Sequence, residues 1–331
     1  MVSADERKLA LSAPFPYFGG KRKVASIVWE RFGVLDNYVE PFFGSGAMLL
    51  GRPGDPRGLE TVNDLDGYIA NFWRAVQHAP EEVARWADHP VNENDLHARH
   101  VWLVQRGDAL GPALEGDPDY FDAKIAGWWV WGMACWIGGH FCSGNGPWWP
   151  DENRQLVHLG DNGRGVNRKR VHLSNDGQGV NRKLVHLGDN GQGRLVPWFR
   201  ALQERLRDVR VCSGDWARVC GPSVTFTHGM TGVFLDPPYA DTAGRAEVYR
   251  KDCDQVAHAV REWAIEMGER QDMRIALCGY EGEHDMPASW EVVAWNAGEG
   301  YGVQADERTG NGKRERIWFS PACVRSQPSL W

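Results

Sequence analysis

Residues 37–50 have the sequence NYVEPFFGSGAMLL, which is the clearest indication of the fold class. Its first four residues predict a short strand, Gly44-Ser-Gly46 predicts a tight turn, and Ala47–Leu50 predicts the start of a helix. Residues 59–63 predict a second strand. A helix with a regular apolar stripe follows, at Ile69, Phe72, Trp73 and Val76. A strand, a glycine turn, a helix and another strand are typical of the opening of a doubly wound α/β fold.

The second half of the chain repeats this alternation. It contains a helix pattern over Val256–Met267. Predicted strands lie on both sides of that helix, at Val209–Ser213, Val233–Asp236, Arg274–Cys278, Trp290–Trp295 and Arg316–Ser320. We therefore expect one α/β domain in two parts, residues 1–76 and 197–331. Residues 77–196 are expected to form an insertion between these parts, and residues 77–130 within it have a helical pattern.

The composition excludes several classes of protein. The chain has 331 residues, a net charge of -7 and seven cysteines without a Cys-x-x-Cys pair. An odd number of scattered cysteines is typical of the reducing cytosol and argues against a disulfide framework. The amino terminus lacks the apolar segment of a signal peptide, and no apolar run is long enough for a membrane span. Because the net charge is negative, any contact with nucleic acid requires a local basic patch.

Asp236-Pro237-Pro238-Tyr239 is the strongest chemical motif, and it follows an apolar strand pattern. The carboxyl ends of strands carry the binding sites of open α/β sheets. An aromatic amine is a weak nucleophile, and the Asp236 carboxylate and the Pro237 carbonyl can accept its two N–H groups. The prolines restrict the backbone and hold that carbonyl in place, while Tyr239 offers a flat face for a base. The alternative is a strand end followed by a proline-rich turn with no catalytic role.

Three further motifs favour a cofactor site. Glu40–Gly46 is a glycine-rich turn after the first strand, which lets the backbone approach a cofactor closely. Asn63-Asp64 ends the next strand, where a carboxylate can bind a ribose diol, although an aspartate there is also a common helix N-cap. Near the amino terminus, Tyr17-Phe-Gly-Gly-Lys21 combines an aromatic residue, two glycines and a cation.

In residues and in order, these motifs resemble the Dam-type (alpha-class) DNA N6-adenine methyltransferases. The resemblance covers about residues 14–75 and 205–320. The matching motifs are Tyr17–Lys21, Glu40–Gly46, Asn63-Asp64 and Asp236–Tyr239, with Lys313–Trp318 similar to the family's closing strand. The resemblance implies an α/β, Rossmann-like S-adenosylmethionine-dependent methyltransferase fold with an inserted target-recognition domain. It also implies S-adenosyl-L-methionine as the cofactor and double-stranded DNA as the partner.

The same resemblance implies a reaction and its residues. The expected enzyme transfers a methyl group to the exocyclic amine of a flipped adenine, in the cytoplasm of a bacterial or phage-infected cell. Whether a separate restriction endonuclease accompanies it is left open. The implied catalytic residues are Asp236, Pro237, Pro238 and Tyr239. The implied cofactor-binding residues are Tyr17, Gly20, Lys21, Glu40, Pro41, Phe42, Gly44, Ser45, Gly46, Asp64, Asp215 and Asp236.

The insertion contains three 14-residue repeats, at about residues 157–193. Residues 153–194 carry eight Lys or Arg residues against three Asp residues, a local charge of +5. Arg and Asn side chains hold phosphates and read base edges. The candidate DNA contacts are therefore Asn167, Arg168, Lys169, Asn181, Arg182 and Lys183. His140 is a further candidate. It lies within residues 138–147, where GATC-reading members of the family carry an arginine and this chain has none, so the resemblance does not imply a GATC target. The alternative for the repeats is a solvated surface loop.

Two other functions are weighed against the methyltransferase. One is a sequence-specific DNA-binding protein on a catalytically silent methylase scaffold, which an altered tetrapeptide at 236–239 would favour. The other is methylation of a cytosine amine, an RNA or a protein amide, which the resemblance associates with Ser or Asn in place of Asp236. No metal site is expected, because Cys135, His140 and Cys142 lack an evident fourth ligand. The 17 tryptophans are expected mainly in the core, with base stacking open for one or two.

Overall fold

The computed structural model describes residues 11–15, 21, 24–54, 58–117, 119–136, 141–142, 148–150, 156–158, 195–238, 254–295 and 315–325. Its strands are β1 (Asn37–Glu40), β2 (Leu59–Asp64), β3 (Trp148–Pro150), β4 (Leu156–His158), β5 (Val209–Ser213), β6 (Thr231–Leu235), β7 (Met273–Tyr280), β8 (Glu291–Ala294) and β9 (Glu315–Phe319). Its helices are α1 (Ala25–Phe32), α2 (Ala47–Leu50), α3 (Gly67–His78), α4 (Pro80–Ala87), α5 (Glu93–Gly116), α6 (Ala123–Cys135), α7 (Leu195–Leu206) and α8 (Asp254–Gly268). Within these ranges, no helix combines the length and the apolar character needed to cross a bilayer.

A seven-stranded sheet in the order β5-β2-β1-β6-β7-β9-β8 forms the centre of the molecule. β9 runs antiparallel to β7 and β8, whereas the other neighbouring strands are parallel. The chain order reverses between the adjacent strands β1 and β6, which makes their carboxyl ends a topological switch point. The expected α/β class is confirmed, and this sheet is compatible with a Rossmann-like fold.

The predicted strands of the sheet are present, with shifts of one or two residues at some ends. β1 and β6 are buried along their whole length, as is typical of parallel strands covered on both faces. The predicted stripe of α3 is confirmed as its buried face, at Ile69, Phe72, Trp73 and Val76. Asp66 caps the amino-terminal end of this helix by accepting a hydrogen bond from the Tyr68 N–H, and such a cap stabilises by about 1 kcal/mol.

The helices α4, α5 and α6 pack with α3 in one hydrophobic core. The Asn71 side chain of α3 exchanges hydrogen bonds of 2.8 and 2.9 Å with the Asp122 backbone. A Cβ on Gly127 would lie 2.3 Å from the Trp86 Cβ, so this glycine lets α6 approach α4 closely. Trp129 and Trp131 are buried, which is the core packing expected of most tryptophans.

The domain boundaries stay predictions. The proposed start of the insertion at residue 77 falls in the last turn of α3. Of the repeat region, the described part is β4, which pairs antiparallel with β3. The other residues of the repeats lie outside the described ranges.

Candidate active site

Acidic side chains follow the carboxyl edge of the sheet. Glu40 ends β1 and Asp64 ends β2, while Asp215 and Asp236 come shortly after β5 and β6. Because β9 runs in the opposite direction, its first residue, Glu315, lies at the same edge. These carboxylates therefore extend across the switch point, which is where open α/β sheets bind ligands.

The turn between β1 and α2 requires glycine at two positions. Gly44 has a φ of 48° and Gly46 a φ of 64°, a region where a side chain costs about 1–2 kcal/mol. A Cβ on Gly46 would also lie 2.8 Å from the Phe43 ring. The Trp73 indole Nε1 donates to the Gly44 carbonyl at 2.9 Å, so α3 holds the turn in place.

Asp64 is half-buried beside this turn. Its carboxylate accepts hydrogen bonds from the Gly44 N–H at 2.8 Å and from the Asp66 N–H at 2.9 Å. Desolvation raises the pKa of Asp64 to about 7, although these two N–H groups act in the opposite direction. Because a carboxylate has further lone pairs, Asp64 can shape the turn and still accept a ligand hydroxyl.

Asn63 joins the glycine turn to the end of β5. Its Nδ2 donates to the Pro41 carbonyl at 3.1 Å and to the Gly214 carbonyl at 2.9 Å. Its Oδ1 is buried and accepts no hydrogen bond within the described part of the chain. Two strand ends are thus held together by one amide, which keeps the edge in a fixed shape.

Glu40 is 2% exposed and ends β1, beside the switch point. It accepts a hydrogen bond of 2.8 Å from the Tyr38 hydroxyl. Burial raises the pKa of Glu40 well above its ordinary value, the Tyr38 hydrogen bond opposes this rise, and the Asp236 charge adds to it. Glu40 is therefore suited either to hold a proton or to face a cationic ligand group.

Lys21 brings a buried positive charge to this edge. Its Nζ lies 3.0 Å from Asp236 Oδ1 and 3.7 Å from Glu315 Oε2. The Lys21 side chain is 4% exposed and that of Asp236 15% exposed, so solvent screens this pair weakly. The Lys21 ammonium also lies 5.2 Å from the centroid of the Trp295 ring. Two predicted site residues that are far apart in sequence are thus in direct contact.

Two aromatic rings, those of Phe42 and Trp216, pack against each other near the carboxyl end of β5. Asp215 begins the short 3-10 helix Trp216–Val219 by accepting a hydrogen bond of 2.9 Å from the Ala217 N–H. The Trp216 ring lies 6.4 Å from the Phe42 ring at an interplanar angle of 26°. Half-buried flat rings beside an exposed carboxylate suit a planar heterocycle that carries an amine.

The remaining predicted residues divide into two groups. Pro41 and Pro237 are buried, and Ser45 and Pro238 are half-buried, all at the strand ends described above. The other group lies outside the described residues and comprises Tyr17, Gly20, His140, Asn167, Arg168, Lys169, Asn181, Arg182, Lys183 and Tyr239. Their roles stay predictions. In the part of the chain that is described, His, Cys, Asp and Glu form no group of three that could hold a metal ion.

Sequence reasoning missed two residues of this edge, Glu315 and Trp216. Glu315 lies within the motif that resembles a closing strand, but its sequence neighbours are charged and suggest a solvated position. Only the reversal of β9 shows that it is buried beside Lys21. Trp216 directly follows Asp215, so an aromatic residue next to a predicted ligand residue was the available signal.

The arrangement is rich in hydrogen-bond acceptors and negative charge, with one buried ammonium between two of its acids. Such an edge can bind a ligand that carries positive charge, hydroxyl groups and an amine. No protein-family model matches the chain, and the comparison with curated proteins gives no match.

Proposed function

We propose that this chain is a site-specific DNA adenine methyltransferase that uses S-adenosylmethionine. The observation that carries the proposal is the position of Asp236, which follows the central strand β6 at the switch point and lies 3.0 Å from a buried lysine. The ion pair with the buried lysine gives the first carboxylate of the motif a fixed orientation, which supports a chemical role for it. The reversed strand β9 also overlaps the motif that resembles the closing strand of the Dam-type enzymes.

The residues of the edge fit the proposed cofactor. S-adenosylmethionine carries a sulfonium, an ammonium, a ribose diol and an adenine amine, and it would supply the methyl group. The structure offers carboxylates for these groups at Glu40, Asp64 and Asp215, and Asn63 Oδ1 is buried without a donor among the described residues. The buried acid Glu40 in particular favours a cationic neighbour, because such a charge offsets the cost of its burial.

Asp236 would act on the target amine. Its carboxylate accepts one N–H of the amine, and the Pro237 carbonyl accepts the other. The amine nitrogen gains positive charge as it is methylated, and a poorly screened carboxylate stabilises that charge strongly. Lys21 orients the Asp236 carboxylate through the ion pair at Oδ1. The base must leave the duplex to reach this edge, since its amine is otherwise paired.

The test is a transfer assay with the purified protein and methyl-labelled S-adenosylmethionine. Three substrates separate the candidate functions: mixed-sequence duplex DNA, duplex DNA without adenine, and duplex RNA. We expect label in the mixed-sequence DNA alone, recovered after digestion as N6-methyladenine. Label in adenine-free DNA or in RNA would favour the alternative substrates. DNA binding without any transfer would favour a silent scaffold.

A further inference from the structure

Glu315 is a buried acid that the proposed chemistry does not use. It is 4% exposed, and it is the first residue of the reversed strand β9, paired in register with Tyr280 of β7. That reversal brings its Oε2 to 3.7 Å from the Lys21 Nζ. Burying a carboxylate is costly unless its charge is paired. Lys21 therefore pairs with two acids, Asp236 and Glu315.

The groups near this cluster come from four neighbouring strands of the edge. Glu40 from β1, Asp236 after β6, Glu315 from β9 and Lys21 all act electrostatically on the Cys278 thiol of β7, and Asp236 and Glu315 also pair with Lys21. Burial raises the pKa of the Cys278 thiol well above its ordinary value, and the Asp236 charge adds to this rise. Two carboxylates thus pair with the Lys21 ammonium, and Glu40 is a third acid that acts on the same thiol.

We infer that Glu315 is a positioning residue, which shares Lys21 with Asp236 and helps to keep the Lys21 ammonium charged beside that carboxylate. The inference rests on the proposed function. A negative charge favours the charged form of a neighbouring ammonium. Because Lys21 is closer to Asp236, at 3.0 Å, than to Glu315, at 3.7 Å, Glu315 adjusts the pair without replacing it.

The test is the pH dependence of kcat/KM for DNA methylation in Glu315→Gln. Removing the negative charge should move the basic limb of the profile, where Lys21 loses its proton, to lower pH by roughly one unit. Glu281→Gln is the matched control, because Glu281 is 63% exposed and its carboxylate lies 2.8 Å from Arg316. Its profile should coincide with that of the wild type. A merely structural role of Glu315 would lower activity at every pH and leave the basic limb in place, which would overturn the inference.

A second measurement does not depend on catalysis. The urea midpoints of Lys21→Met, Glu315→Gln and the double variant form a double-mutant cycle. We expect the double variant to lose less stability than the sum of the two single variants. Additive losses would contradict the Lys21–Glu315 coupling, whatever the activity. If Glu315→Gln does not fold, Glu315→Asp replaces it, and a weaker displacement of the basic limb in the same direction is expected.

Different results would contradict the methyltransferase function and the positioning role of Glu315. A folded wild type that binds S-adenosylmethionine and methylates no nucleic acid contradicts the proposed function, while the cycle still measures the coupling. A wild type that methylates DNA, together with an unmoved profile in Glu315→Gln, contradicts the inference alone.

Discussion

At the scale of single residues, the charge of Asp64 opposes folding near neutral pH. Its pKa rises from 3.8 to about 7 in the folded protein, so the folded state binds this proton more tightly than the unfolded chain does. The stabilising contribution of the group is therefore complete below about pH 4 and is lost as the pH rises through about 7. A displacement of roughly three units corresponds to at most about 4 kcal/mol.

Asp64→Asn should remove much of this pH dependence, because the amide does not titrate. Its oxygen can still accept one of the hydrogen bonds from Gly44 and Asp66. The measurement is the free energy of unfolding in urea at about pH 5 and about pH 7. Asp122→Asn is the control, since Asp122 caps α6 away from this edge and Asn is an equally good cap. An unchanged pH dependence in Asp64→Asn would contradict the desolvation of this carboxylate.

Lys21→Met should destabilise the protein by about 3–5 kcal/mol, because it removes the shared cation of the buried Glu315 and the half-buried Asp236. It should also weaken binding of S-adenosylmethionine, since the orientation of Asp236 is lost. Urea unfolding and titration calorimetry measure the two effects. Lys124→Met is the matched control, because the Lys124 ammonium lies over the Trp128 ring at 4.4 Å. Equal losses of stability and of cofactor affinity in both variants would show that the ion pair of Lys21 contributes no more than the contact of Lys124 with the Trp128 ring.

At the scale of elements, two glycine variants distinguish a role of the turn between β1 and α2 in cofactor binding from the backbone strain that alanine causes at any glycine with positive φ. Gly46 and Gly54 both have positive φ, of 64° and 72°, so alanine costs about 1–2 kcal/mol at either position. At Gly46 the new Cβ also meets the Phe43 ring, whereas at Gly54 it meets nothing within 4 Å. Gly46→Ala should therefore be the less stable variant and the only one of the two with weaker cofactor binding. Urea unfolding and calorimetry compare them, and equal cofactor affinities would contradict a role for the turn in binding.

The elements themselves could be predicted because their signals are local. The stripe of α3 and the apolar runs of β1 and β6 depend on periodicity, which the sequence contains directly. The reversal of β9 could not be predicted, since strand direction depends on pairing with β7 and β8. For the same reason the contact between Lys21 and Glu315 could not be seen. The Dam-type motifs indicated Lys21 and Asp236 as site residues, but not that they pair with each other.

At the scale of the whole molecule, the charge distribution sets conditions on DNA binding. The chain carries a net charge of -7, and the carboxyl edge of the sheet is acidic. A phosphate backbone must therefore be attracted by another surface. Residues 153–194, with their local charge of +5, remain the predicted one.

Replacing Arg168, Lys169, Arg182 and Lys183 by glutamine should flatten the salt dependence of DNA affinity. If all four contact phosphates, the slope of log affinity against log salt should fall by about 3 to 4 units, near 0.9 per contact. If some of them read bases, the slope changes less and the target sequence relaxes. Cofactor affinity should not change, because the cofactor motifs lie outside the repeats. The same slope and the same methylated sequence as wild type would make the repeats a passive surface loop.

We propose that Asp236 at the switch point makes this chain a DNA adenine methyltransferase. The decisive measurement is methylation-sensitive long-read sequencing of DNA from cells that express wild type, Asp236→Ala or Asp272→Ala. Asp272 immediately precedes β7, at the opposite edge of the sheet, and serves as the matched control. We predict N6-methyladenine at one short sequence with wild type and Asp272→Ala, and less than about a few per cent of it with Asp236→Ala, since losing the acceptor costs several kcal/mol in the transition state. Unmethylated adenine with the wild type, or undiminished methylation with Asp236→Ala, would contradict the claim.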